Sequence, residues 1–267
     1  MAEIKKQIPD EIVFLGTGGA RYVIARQTRA TGGILFRIHG KDILVDPGPE
    51  SLLRLLNYVP KFNPEKIDAI VLSHKHIDHS ADINVYLDVL TRGGFKQGGY
   101  LIAPEDAFGE DGIIFKYLMQ YLKKTQIIKP ELELNIGDVA FEFPLRHIHP
   151  VETYGLKIKG DDYSISYISD TKFFPELIDA YMADIVILNL LCLEPSEIEH
   201  LSVPDCARII SGIKPKVAII THFGMTMLRA GPWNIARRLK KETGVTVLAA
   251  EDGKHYAIPK LLSYAKL

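Results

Sequence analysis

The chain has 267 residues, of which 47% are hydrophobic and 24% charged, and its formal net charge is −1. This composition suits a globular protein with a sizeable core. A chain so close to neutrality has no electrostatic case for tight non-specific binding to nucleic acid. Two cysteines, Cys192 and Cys206, fall in a predicted strand and a predicted helix and read as free buried thiols, not as a disulfide framework. Met1 to Gln7 lacks the apolar stretch of a signal peptide. The longest apolar run, Ile185 to Leu193, is broken by Asn189 and too short to span a bilayer. The expectation is a cytoplasmic protein with one domain over residues 1–267 and no membrane partner, for which a homodimer is an admissible assembly.

Glu11 to Leu15 reads as a strand, followed by the tight loop Gly16-Thr17-Gly18-Gly19-Ala20-Arg21, where glycines permit turns and close approach. The loop has the spacing of neither a Walker loop nor a dinucleotide fingerprint. Arg21, Arg26 and Arg29 either line an anionic pocket or lie on a solvated hairpin edge. Gly33 to His39 and Asp42 to Val45 alternate like paired strands around a His39-Gly40-Lys41 turn. Glu50 to Tyr58 has helical spacing, and Ile67 to Leu72 is a short β-branched run suited to a buried strand. Ala81 to Leu90 is predicted helical, Thr91 to Gly99 a glycine-rich flexible loop containing Arg92, and Tyr100 to Ala103 a strand. Gly112 to Lys124 is predicted as an amphipathic helix carrying Ile113, Phe115, Leu118, Met119 and Leu122. Lys123-Lys124 and Arg237 to Lys241 read as charges at helix C-termini, facing the negative end of the macrodipole. Further strands are expected at Val139 to Leu145, Tyr163 to Ile168, Ala183 to Leu191 and Val217 to Ile220, and a helix at Pro204 to Ile213.

After the Ile67–Leu72 strand comes Ser73-His74-Lys75-His76-Ile77-Asp78-His79-Ser80. Three imidazoles and a carboxylate fall within six residues. Neither a core nor a solvated face has a use for that combination. Neutral imidazole nitrogens and carboxylate oxygens are good ligands for zinc and similar divalent metals, and a turn at a strand end can aim several side chains at one point.

The pattern His-x-His-x-Asp-His resembles the signature of the metallo-β-lactamase superfamily, and Phe14-Leu15-Gly16-Thr17-Gly18 is similar to the opening of many members. The resemblance implies an α/β fold, a four-layer αββα sandwich with one or two metals at the edge where its sheets meet. Leu44-Val45-Asp46-Pro47-Gly48 matches the superfamily's aspartate-glycine motif, which gives Asp46 the task of orienting the metal-binding loop by hydrogen bonds. A strand-end histidine is wanted in Arg146 to Gly155, where His147 and His149 compete. The run from His149 to Gly155 resembles the wording in ribonuclease Z-like members and favours His149, leaving His147 to support it or face substrate. Asp170, after a strand, matches the carboxylate that bridges two metals, and His222 in Thr221-His222 matches the final histidine. The implied set is His74, His76 and His149 on one metal and Asp78, His79 and His222 on the other, with Asp170 shared. Zinc is the expected ion, with manganese or iron as alternatives.

Glu199-His200-Leu201-Ser202 is similar to a His-x-Ser/Thr segment of the ribonuclease Z-like branch, whose histidine helps protonate the leaving group. An imidazole titrating near neutrality suits that role; the plainer reading is a surface-loop histidine. Asp78 and His200 are thus the expected catalytic side chains, and Arg21, Arg29 and Arg92 the expected substrate contacts. One departure stands out. The branch carries its tRNA-gripping arm between the third ligand and the bridging aspartate, whereas His149 and Asp170 are 21 positions apart, room for a hairpin only. The expected function is hydrolysis of a small nucleotide or other phosphodiester by a hydroxide shared between two metals. The rivals are lactone, thioester or amide hydrolysis, tRNA 3′ processing, a redox role, and a non-catalytic metal-binding sensor.

Overall fold

The computed structural model describes residues 9–264. Six strands run first in the chain: β1 (Glu11–Phe14), β2 (Ile34–Ile38), β3 (Lys41–Val45), β4 (Ala69–Val71), β5 (Gly98–Ala103) and β6 (Leu122–Ile127). Nine follow: β7 (Leu132–Ile136), β8 (Val139–Phe143), β9 (Leu156–Lys159), β10 (Ser164–Ile168), β11 (Ile185–Cys192), β12 (Leu201–Ser202), β13 (Val217–Thr221), β14 (Thr246–Ala249) and β15 (His255–Ala257). They form two sheets, ordered β15-β1-β2-β3-β4-β5-β6 and β14-β13-β11-β10-β9-β8-β7, with β12 beside β11. Each sheet is antiparallel on one side and parallel on the other, the parallel run being β3 to β6 in one and β10, β11, β13 and β14 in the other. Parallel neighbours need crossovers, and α2 (Ser51–Tyr58), α3 (Ile77–Ser80), α4 (Ile83–Thr91), α5 (Lys116–Met119), α6 (Glu176–Ala180), α7 (Val203–Ile213), α8 (Met225–Ala230) and α9 (Pro232–Thr243) lie on them; α1 (Ala20–Arg26) joins the antiparallel β1 and β2, and α10 (Ile258–Ser263) follows β15.

Three apolar layers hold the four-layer stack together. Phe14, Phe36, Phe141 and Tyr167 interdigitate between the sheets. Leu55, Leu87 and Leu90 of α2 and α4 pack on the outside of the first sheet. Ile209, Ile210 and Leu239 of α7 and α9 cover the second. Each such side chain contributes about 1.5–3 kcal/mol on burial. β11 is buried along its whole length, as expected for a parallel strand covered on both faces. No helix among the described residues is long and apolar enough to cross a membrane.

Two local expectations fail. The helix expected over Gly112 to Lys124 is a single turn, α5, and Leu122 opens a strand instead. The apolar spacing is helical, but β5 offers an open edge, and the backbone of residues 122–127 pairs with it in parallel. Lys123 and Lys124 are therefore exposed on an edge strand, where they hinder further pairing, and cap no helix. The hairpin edge offered for Arg21 and Arg26 is instead a helix, α1, whose first backbone amide, that of Ala20, donates to Asp78 Oδ2 at 2.8 Å. Residues 20–26 hold no glycine or proline to oppose a helix.

Candidate metal centre

Strands of both sheets end at one edge, and the polar residues past their last rungs converge there. His74 follows β4, Asp170 follows β10 and His222 follows β13. His76, Asp78 and His79 lie on or beside the turn of α3, and His149 on the loop between β8 and β9. One ligand-type atom each from His74, His76, His149 and Asp170 lies within 4.8 Å of the others, and the same holds for Asp78, His79 and His222. Asp170 joins the two groups. Its Oδ2 is 3.6 Å from His74 Nε2 and 3.4 Å from His79 Nε2, and its Oδ1 is 3.5 Å from His222 Nδ1.

The outer hydrogen bonds set which nitrogen of each ring keeps a lone pair. His149 Nδ1 lies 3.0 Å from the Glu199 carbonyl, which can only accept, so the ring proton sits there and Nε2 faces His76 Nδ1 at 3.0 Å. His79 Nδ1 lies 3.0 Å from Asp46 Oδ2, which directs its Nε2 to within 2.9 Å of His222 Nε2. Ser73 donates its hydroxyl to Asp46 Oδ2 at 2.7 Å, so it can only accept from His74 Nδ1 at 2.9 Å. That leaves His74 Nε2 buried without a partner, as is His222 Nδ1. Buried nitrogens facing one another or nothing cost free energy unless a cation joins them. A set of imidazoles and carboxylates of this kind fits a divalent metal.

Electrostatics support the same reading. Burial pushes His74 well below the ordinary histidine range, with the His79 charge adding to it. Burial alone would raise Asp170 and Asp78. His222 and His79 outweigh it at Asp170, and His79 and His222 do so at Asp78, holding both carboxyls ionised. His79 is opposite: burial lowers it, but Asp170, Asp78 and Asp46 raise it further. It holds a proton that a metal would displace.

His147 stands outside the cluster. Its Nδ1 lies 3.2 Å from the Asp170 carbonyl and its Nε2 2.8 Å from the Tyr181 hydroxyl. It is buried behind the Asp170 backbone and does not line the cleft. His200 lines the cleft with His76 and His149, its Nδ1 3.7 Å from Asp170 Oδ2. Burial pushes its imidazole down to about 4, below the near-neutral value expected for it, while the Asp170 carboxylate pulls the other way.

The three expected arginines separate. Arg21 lines the cleft. Arg29 turns inward, donating to Thr17 Oγ1 at 3.1 Å and lying over the Phe223 ring. Arg92 bonds Glu65 through Nε at 2.9 Å on the far side of α4 and does not line the cleft. Residues not singled out from the sequence also shape the centre. Asn189 Nδ2 donates to Asp170 Oδ1 at 2.8 Å, and the interruption it makes in an apolar strand was its one visible signal. Gly19 leaves room for the His222 ring, since a Cβ there would lie 2.3 Å from its Nδ1. Asp46 and His222 both have left-handed backbone, φ 52 and 62, a strain that recurs at functional sites.

A double-sheet sandwich with a histidine–aspartate cluster at its sheet edge defines a metallo-hydrolase class. The chain belongs to the beta-lactamase superfamily, matching its domain model over residues 41–223. An uncharacterized protein of Methanocaldococcus jannaschii is 31% identical over 91% of this chain and 93% of its own length. The crystal structure of YhfI, a metallo-β-lactamase fold protein of Bacillus subtilis, superposes with a TM-score of 0.77 at 25% identity, covering 93% of this chain and 99% of that one. A diphosphatase of the PhnP family shares the fold at TM-score 0.68 and 20% identity, over 92% and 97% of the two chains. The protein is a metal-dependent hydrolase of this superfamily.

Proposed function

We propose that the protein holds two divalent ions, zinc first among them, and hydrolyses a small phosphodiester. The observation that carries this is Asp170, whose carboxylate lies between the two ligand groups with His200 beside it. His74, His76 and His149 would hold one ion, Asp78, His79 and His222 the other, and Asp170 both. Such a pair lowers the pKa of a water and neutralises charge on phosphoryl oxygens. The protein's own residues do the rest. Asp46 keeps the lone pairs of His79 and, through Ser73, of His74 turned inward. Asn189 fixes the rotation of Asp170. His200, mostly buried in the cleft wall beside Asp170, is placed to hydrogen-bond the departing oxygen through its N–H, and the proton that oxygen finally takes comes from solvent. The likeness to a diphosphatase fold supports phosphorus chemistry on a small substrate.

The test is hydrolysis of bis-p-nitrophenyl phosphate by zinc- or manganese-loaded protein, alongside a lactone and a thioester. Diester turnover that disappears with Asp170→Ala, together with loss of metal stoichiometry, is the expected result. Turnover of the lactone or thioester alone would overturn the phosphodiester reading and leave the metallo-hydrolase class intact.

A further inference from the structure

The open cleft beside the centre spans about 1070 Å³, just above the range, about 300–1,000 Å³, of small-molecule sites. Its walls are mostly apolar: Tyr22, Pro150, Leu191, Leu193, Ile198 and Met225. The segment 193–199 forms one whole side and is tied to the centre, because the Glu199 carbonyl holds His149. Apart from histidines, the charged side chains lining the cleft are Arg21, Glu194, Glu197 and Glu199. The cleft lining thus carries three acidic residues against one arginine. Glu199 Oε2 is buried without a hydrogen-bond partner, so a second anion beside it would meet no counter-charge.

Resting on the phosphodiesterase reading, we infer that the cleft selects a diester with a single negative charge and an apolar or aromatic alcohol. Segment 193–199 rejects substrates carrying further phosphates. The reacting phosphate would sit at the proposed pair of ions, which supply the positive charge of the cleft together with Arg21. A nucleic-acid chain running outward from it would pass Glu194 and Glu197, where like charges repel at distances within a Debye length of about 8–10 Å. The apolar wall has the opposite effect on an aromatic alcohol, which gains by leaving water. A nucleic-acid enzyme needs the reverse, a cationic track beside its centre.

The test uses the full-length metal-loaded protein and two esters with the same scissile bond. One is thymidine 5′-p-nitrophenyl phosphate, the other a hexathymidylate bearing that ester at its 5′ end. We expect kcat/KM about tenfold or more lower for the hexamer at low salt, a gap that narrows as salt screens the rim. It narrows likewise in Glu194→Gln/Glu197→Gln. Phenyl p-nitrophenyl phosphate should show a KM about tenfold below that of methyl p-nitrophenyl phosphate. A hexamer cleaved as well as the mononucleotide, a gap that widens with salt, or equal KM values for the phenyl and methyl esters overturns this inference alone. Failure to cleave any of the diesters overturns the phosphodiesterase reading and this inference with it. The salt series on the unaltered protein decides the matter if the double variant does not fold.

Discussion

Asn189 donates its side-chain amide to Asp170 Oδ1 at 2.8 Å and to the Tyr167 hydroxyl at 3.2 Å. A polar residue at the centre of a buried strand is costly unless bonded, and here the bond sets the rotation of the carboxylate that both ligand groups share. Asn189→Ala is expected to lower metal affinity and hydrolytic turnover by about 10–100-fold, the usual cost of losing a partner behind a ligand. Metal titration of the variant, read by bound stoichiometry, checks this. Unchanged affinity in a folded variant would show that Asp170 needs no such support.

Gly19→Ala tests the space around His222. The added methyl would lie 2.3 Å from Nδ1, too close for any real contact, so the ring must turn away. Gly19 itself has φ −140, which alanine adopts freely, so the expected damage is to the site and not to the fold. One metal should bind with about 10–100-fold weaker affinity while the other is retained. Stepwise metal titration with a thermal melt separates the two effects.

Metal affinity should fall as pH falls. His79 binds its proton more tightly than an ordinary histidine because Asp170, Asp78 and Asp46 outweigh its burial. A metal must displace that proton, so binding releases it and is weakened at low pH. Calorimetric titrations in two buffers of different ionisation enthalpy count the protons released. No buffer dependence would contradict the assignment.

Away from the site, Asp184 ties β10 to the start of β13. Its Oδ2 accepts from the Ser164 amide at 2.8 Å, and Lys216 Nζ lies 2.9 Å from Oδ1. Burial would raise this carboxyl, but Lys216 and Ser164 hold it below its ordinary value. The folded pKa is therefore depressed. The stabilisation is complete above the unfolded value of about 3.9 and is lost as pH falls through the folded value. Asp184→Asn should cost about 1–2 kcal/mol at pH 7, with the difference from the unaltered protein shrinking below pH 4. Denaturant melts at the two pH values measure it.

The histidine–aspartate cluster was legible from the sequence where chemistry is local. His74, His76, Asp78 and His79 lie on one turn, and no other use accounts for them together. Asp170 and His222 were visible through family likeness, as residues following apolar strands. What stayed hidden depends on tertiary position. Arg29 and Arg92 are as basic as Arg21 on paper, yet one is used by the Phe223 ring and the other by Glu65. The acidic wall at 193–199 has no motif, because its meaning comes from standing opposite α1. Residues 122–127 formed a strand against their helical spacing because an edge of β5 was open to them.

Asp46 reaches both halves of the centre, His79 directly and His74 through Ser73. The two half-sites therefore share one hinge of proton placement. Removing one histidine disturbs its own ligand group alone, whereas removing the Asp46 carboxylate frees the rings of His79 and His74 together, so the two groups cannot be loosened there one at a time.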